Sequence, residues 1–173
     1  YFPEKNSENL IISVPSKGDI DKFSPYISNS ITEAHVVFNA MCFPLYVYED
    51  RKRKENITNA TLEEYQIFYN DKKITKENIF YYVYGLLHHP KFIEKYANNL
   101  FRDSTHIPMA PKFWEYVEAG RNLAELHLNY ENGKKYNLGT PKNKKIGKLE
   151  KISFGKKTIG GKRTTDYTEI WIN

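Results

Sequence analysis

The residues with the most capacity for chemistry lie at the C-terminal end of this 173-residue chain. Residues 133 to 173 hold 11 basic side chains against Glu150, Asp166 and Glu169, a net charge of +8, while the preceding 132 residues carry 15 basic and 18 acidic groups, a net of -3. The abundant Lys, Asn, Ile and Tyr are all encoded by A/T-rich codons, but codon bias acts along a whole chain and cannot produce this split. Tyr136, Phe154, Tyr167 and Trp171 are interleaved with the lysines. Ammonium and guanidinium groups in that setting neutralise phosphates and release counterions, and the rings offer surfaces on which bases stack. Lys142, Lys144, Lys145, Lys156, Lys157, Lys162 and Arg163 are the candidate phosphate contacts. The same residues also fit a solvated, lysine-rich edge that keeps exposed strands from pairing with other chains. Composition does not choose between the two.

Other chemistry fails on spacing. The segment Gly155-Lys156-Lys157-Thr158-Ile159-Gly160-Gly161-Lys162-Arg163 has phosphate-loop composition, but the Gly-Lys-Ser/Thr step that cradles phosphates is out of register. No G-x-G-x-x-G follows a strand, and no Asn/Asp-Pro-Pro-aromatic segment of the amino-methyltransferase kind occurs. His88 and His89 diverge by about 100° on a helix and have no partner ligands at metal-site spacing. His127 reads as a satisfied, partly buried histidine. Glu118, Arg121 and Glu125, 3 and 4 apart, read as a surface ion-pair ladder. No nucleophile is paired with a base, so no catalytic, cofactor or metal residue is expected in this chain.

Several elements must position the basic segment. Leu10 to Val14 is a β-branched run closed by a Pro-Ser-Lys-Gly-Asp turn, and Phe43 to Tyr48 alternates apolar residues with tyrosine as one strand. Glu49 to Glu55 reads as an exposed loop whose Arg51-Lys52-Arg53-Lys54 cluster serves solvation. Thr61-Leu62-Glu63-Glu64 is a capping-box pattern opening a helix to about Tyr69. Thr75 caps a second helix, which stops near His88-His89 before Pro90. A third spans Lys91 to Phe101, and the fourth starts with Pro111 in its first turn and ends near Tyr130, before Gly133. Phe113, Val117, Gly120, Ala124 and Leu128 form one stripe of the fourth, so another element can approach its backbone at Gly120. Leu149 to Phe154 and Tyr167 to Ile172 read as strands with Gly160-Gly161 between them.

These elements predict an α+β fold: a central bundle of about four helices flanked by short antiparallel strands at both ends. The length suits one domain over residues 1–173, divided into a strand and loop region (1–58), a helical core (59–132) and a basic β-hairpin region (133–173). Mean hydropathy is -0.68 and no apolar stretch approaches a bilayer span, so no membrane partner is expected. The single cysteine, Cys42, sits in an apolar run as a small buried hydrophobe and favours a reducing, cytoplasmic setting. The first residues carry no initiator Met and no signal-peptide pattern, so the chain reads as a piece of a longer polypeptide.

The middle of the chain also resembles a known family. Cys42-Phe43-Pro44-Leu45-Tyr46, Asn56-Ile57-Thr58, Ile79 to His88, Tyr96-Ala97-Asn98-Asn99-Leu100, Ile107-Pro108, Phe113-Trp114 and Ala119 to His127 resemble the C-terminal specificity domain of single-polypeptide Type ISP restriction-modification enzymes. The resemblance covers about residues 35 to 131. It implies a target-recognition module that holds duplex DNA for a methyltransferase modifying adenine N6 and for an ATP-driven helicase-nuclease in the same polypeptide. S-adenosylmethionine, ATP and Mg would be cofactors of those other domains. The shared motif residues read as helix cores and caps, so the resemblance gives them no base-reading role. The family domain continues past Asn173 with further helical sequence, which puts complete base readout by this chain in question. A docking module within the same enzyme, without DNA binding of its own, is the alternative.

Overall fold

The computed structural model describes residues 2–4, 7–15, 23–31, 40–100 and 107–133, the side chains of 97–100 excepted, and the backbone of strands 152–159 and 162–172. It is α+β, with four helices and small antiparallel sheets among the described residues. The chain divides into two compact units, Tyr1–Lys134 and Lys135–Asn173.

In the first unit, β1 (Ile11–Val14) is the middle strand of a sheet ordered β2-β1-β3, with β2 (Tyr26–Ser28) and β3 (Met41–Pro44) antiparallel to it. All four β1 residues are buried, so both faces of this strand are covered and a β-branched run without polar alternation suits it. Cys42, expected inside, is only half-buried; its Sγ lies 3.6 Å from the Ser13 hydroxyl.

The strand expected over Phe43 to Tyr48 is two strands. Leu45 breaks it: its side chain is buried and its amide donates to the Leu10 carbonyl, taking the chain out of the first sheet. Asn9 then imitates a neighbouring strand, its side-chain oxygen accepting the Tyr46 amide at 3.0 Å and its amide donating to the Tyr46 carbonyl at 2.8 Å. Beyond it, β4 (Tyr46–Glu49) pairs with β5 (Lys52–Glu55). The segment expected as a loop is therefore a hairpin, closed by Asp50 and Arg51 at φ 48° and 63°. Two consecutive positive φ angles make the tight turn whose twist matches paired strands.

Helix α1 (Asn59–Phe68) starts before the expected cap, because Thr58, not Thr61, receives the Thr61 amide on its side chain at 3.1 Å. In α2 (Lys76–Leu87) the expected cap holds: Thr75 accepts the Asn78 amide and Asn78 returns a bond to the Thr75 amide. Pro90 occupies the first position of α3 (Pro90–Leu100), where its missing N–H costs nothing. Helix α4 (Phe113–Leu128) begins two residues after Pro111, since Lys112 is held left-handed at φ 67°.

Buried tyrosines hold the approach to α4. The Tyr82 hydroxyl donates to the Pro108 carbonyl and accepts the Ala110 amide, both at 2.7 Å, while Tyr69 donates to the Ala110 carbonyl at 2.6 Å. Burial pushes both phenols upward in pKa, so they stay neutral donors. Tyr65, Tyr69, Tyr82 and Phe113 pack ring on ring at centroid distances of 4.9–6.5 Å.

The apolar stripe of α4 buries as expected at Phe113, Val117, Gly120 and Ala124, with Leu128 partly buried. Gly120 meets Gly85 of α2: a methyl group at Gly120 would stand 2.0 Å from the Tyr81 carbonyl oxygen, and one at Gly85 2.4 Å from that of Tyr116. The helices touch backbone to backbone. One core runs from Ile12, Val14 and Ile27 of the sheet through Tyr65, Phe80, Tyr82 and Tyr84 to Val117 and Ala124.

In the second unit, β6 (Ile152–Ile159) and β7 (Lys162–Ile172) form an antiparallel ladder whose register shifts between Phe154 and Gly155. Both strands run further than the sequence pattern predicts, through the lysine-rich stretch to either side of the Gly160-Gly161 position.

Candidate nucleic-acid interface

The ladder of the second unit brings together four of the seven candidate phosphate contacts. Lys156 pairs with Thr165, Lys157 with Thr164, Thr158 with Arg163 and Ile159 with Lys162. Each of these four basic residues is thus in register with a neutral one. Lys157 and Lys162 hold diagonal positions on one face, and Lys156 and Arg163 on the other, as the alternation of a strand requires. The closed end of the hairpin therefore carries two positive positions per face. Lys142, Lys144 and Lys145 lie outside the described residues.

The first unit carries a second basic hairpin, which the sequence pattern hid because a run of like charges reads as a loop. Arg51, Lys52, Arg53 and Lys54 are all exposed at its tip and along β5. Lys54 is paired with Glu49, and Glu55, at the far end of β5, receives Lys76 at 3.2 Å. Arg51 stands 3.9 Å from Glu4, at the edge of contact, and the Arg53 guanidinium lies over the Tyr46 ring, 4.4 Å from its centroid.

His88 and His127 have structural partners. His127 Nδ1 meets the Tyr84 hydroxyl, and the His88 ring nitrogens lie 2.9 Å from the Tyr84 carbonyl and 3.2 Å from that of Pro25. Burial, and then the neighbouring His88, hold the His127 pKa below its usual range. Arg121 does not join the ladder expected on its own helix. The close approach of α2 brings Glu77 within 3.1 Å and Tyr81 beneath the guanidinium at 4.4 Å.

Residues 155–159 and 162–163 lie in two paired strands, whereas a phosphate cradle needs a loop opening a helix. Among the described residues no cluster of three or more His, Cys, Asp or Glu side chains can hold a metal ion, and no helix is long and apolar enough to cross a membrane.

Comparison with known proteins matches the family model of the Type ISP C-terminal specificity domain over residues 1–173. Among solved structures, one of a DrdV–DNA complex is similar over 84% of this chain, at 33% identity and a TM-score of 0.75. A nuclease-deletion mutant of the Type ISP restriction-modification enzyme LlaGI, in complex with a DNA substrate mimic, is similar over 88%, at 33% identity and a TM-score of 0.62. The ATP-dependent Type ISP enzyme LlaBIII bound to DNA shares the fold over 99%, at 23% identity and a TM-score of 0.71. This chain spans 15% of the DrdV chain and 12% of each of the other two. Comparison with curated protein sequences gives no match. A family match along the whole sequence, together with the shared fold, establishes that the chain belongs to the Type ISP C-terminal specificity domain family.

Proposed function

We propose that this chain is the target-recognition domain of a larger restriction-modification enzyme, holding duplex DNA while other domains of the same polypeptide act on it. The observation that carries this reading is the likeness, at 33% identity over 84% of the chain, to part of a protein solved in complex with DNA. On this reading the domain is not itself an enzyme. A methyltransferase domain using S-adenosylmethionine modifies adenine N6, and a helicase-nuclease region using ATP and Mg translocates and cleaves. The setting is the cytoplasm, where the DNA lies.

Lys142, Lys144, Lys145, Lys156, Lys157, Lys162 and Arg163 supply phosphate contacts, which fix the domain on the duplex without reading sequence. Replacing Lys156, Lys157 and Lys162 together by Ala weakens binding to a mixed-sequence duplex and lowers the slope of log K against log salt by about 2 to 3. Fluorescence anisotropy at several salt concentrations measures this, and an unchanged slope removes the assignment.

A second reading has its own observation. Ile67 and Phe68 at the end of α1 and Trp114 at the start of α4 are 73%, 59% and 44% exposed, large apolar groups suited to docking on another domain of the same polypeptide. Under that reading alone, the unaltered chain binds DNA weakly and without salt dependence.

A further inference from the structure

We infer that the tip of the β4–β5 hairpin is a second phosphate-binding element, in which Arg51, Lys52 and Arg53 contact the backbone of duplex DNA. The inference rests on the DNA-binding reading above, and adds a surface in the first unit to the basic segment of the second.

Charge accounting around the hairpin singles out the tip. Lys54 is neutralised by Glu49, and Glu55 by Lys76. Lys52 and Arg53 have no carboxylate within 4 Å among the described residues, and Arg51 reaches Glu4 only at 3.9 Å with both side chains largely exposed. One carboxylate stands among them, Asp50 in the turn, exposed and in no ion pair among the described residues, so three adjacent cations against one anion leave the tip positive in a unit that is otherwise acidic.

Their geometry fits a polyanion. Successive strand residues alternate faces, so Lys52 and Arg53 address opposite sides of the ribbon, with Arg51 at its end. A two-stranded ribbon is also of a size that the major groove of B-DNA admits, with phosphates on both flanks. The Tyr46 ring beneath Arg53 restrains the guanidinium before binding, which reduces the ordering cost of making a contact.

The turn adds a separate argument. Arg51 sits at φ 63°, a conformation suited to glycine, and Asp50 beside it at φ 48°. A turn selected for stability alone carries Gly at the second position. Holding an arginine there places an exposed cation in the turn of the hairpin despite the backbone cost.

Three variants of the full chain test the proposal, with folding checked by circular dichroism. Arg51→Gly relieves the backbone and leaves the melting temperature equal or higher, yet lowers the salt slope for a mixed-sequence duplex by about 1. Arg51→Gly/Lys52→Ala/Arg53→Gln lowers it by about 2 to 3 and weakens binding at least ten-fold at 0.1 M salt or below. Lys72→Ala/Lys73→Ala, which removes two exposed charges between α1 and α2, leaves slope and affinity nearly unchanged. Should the hairpin variants bind like the unaltered chain while Lys156→Ala/Lys157→Ala/Lys162→Ala loses affinity, the hairpin role is wrong and the DNA-binding reading stands. An equal loss in the Lys72/Lys73 variant makes the effect one of net charge and overturns the hairpin role. No salt-dependent binding by the unaltered chain removes both.

Discussion

At the level of single residues, most of what looked like chemistry is stabilisation. His127 was legible as a satisfied histidine from its place at the edge of an apolar stripe, and it proves to be bonded to Tyr84 on α2. Its depressed pKa makes folding sensitive to acid. As pH falls below the ordinary histidine value of about 6.5, the unfolded chain takes up the proton first, so the native state loses stability. The melting temperature should therefore fall between pH 7.5 and 5.5, and His127→Gln should remove part of that fall; parallel curves for the two proteins would contradict this. The partners of Arg121, Glu77 and Tyr81, lie on another helix, and i, i+4 spacing carries no information about a neighbouring element.

Elements were legible where their signals are local. Thr75 with Asn78 is a capping box that a reader of residues can find, and Thr75→Ala should cost about 1 kcal/mol in urea unfolding. Gly120 was legible as a site of close approach, but its counterpart Gly85 was not singled out, because only packing reveals which glycines meet. Gly120→Ala must push α2 away from α4 and should destabilise by about 2–3 kcal/mol; a change under 0.5 kcal/mol would mean that the backbone contact is not tight. Two of the elements read incorrectly share a cause. Leu45 ends one strand and Asp50-Arg51 turns another through tertiary bonds and positive φ angles, neither of which hydrophobic alternation encodes. The start of α4 at Phe113 follows likewise from Tyr69 and Tyr82, which hold residues 108–110.

For the whole molecule, the most informative feature was the distribution of charge. The change from net -3 to net +8 at residue 133 lies beside the boundary between the two compact units, after Lys134. Charge marked the basic hairpin of the second unit, and motif residues between 35 and 131 marked the family. The basic run of β4–β5 was visible as well, but it read as a solvated loop, because four consecutive charged residues carry no alternation that marks a strand. The central claim is that this chain is a DNA-binding domain held on the duplex largely through phosphates. The measurement that tests it most directly is a salt titration of the unaltered chain against a fluorescent mixed-sequence duplex. The account predicts that log K falls linearly with log salt, with a slope of about -3 or steeper. Weak binding with a flat slope would contradict it.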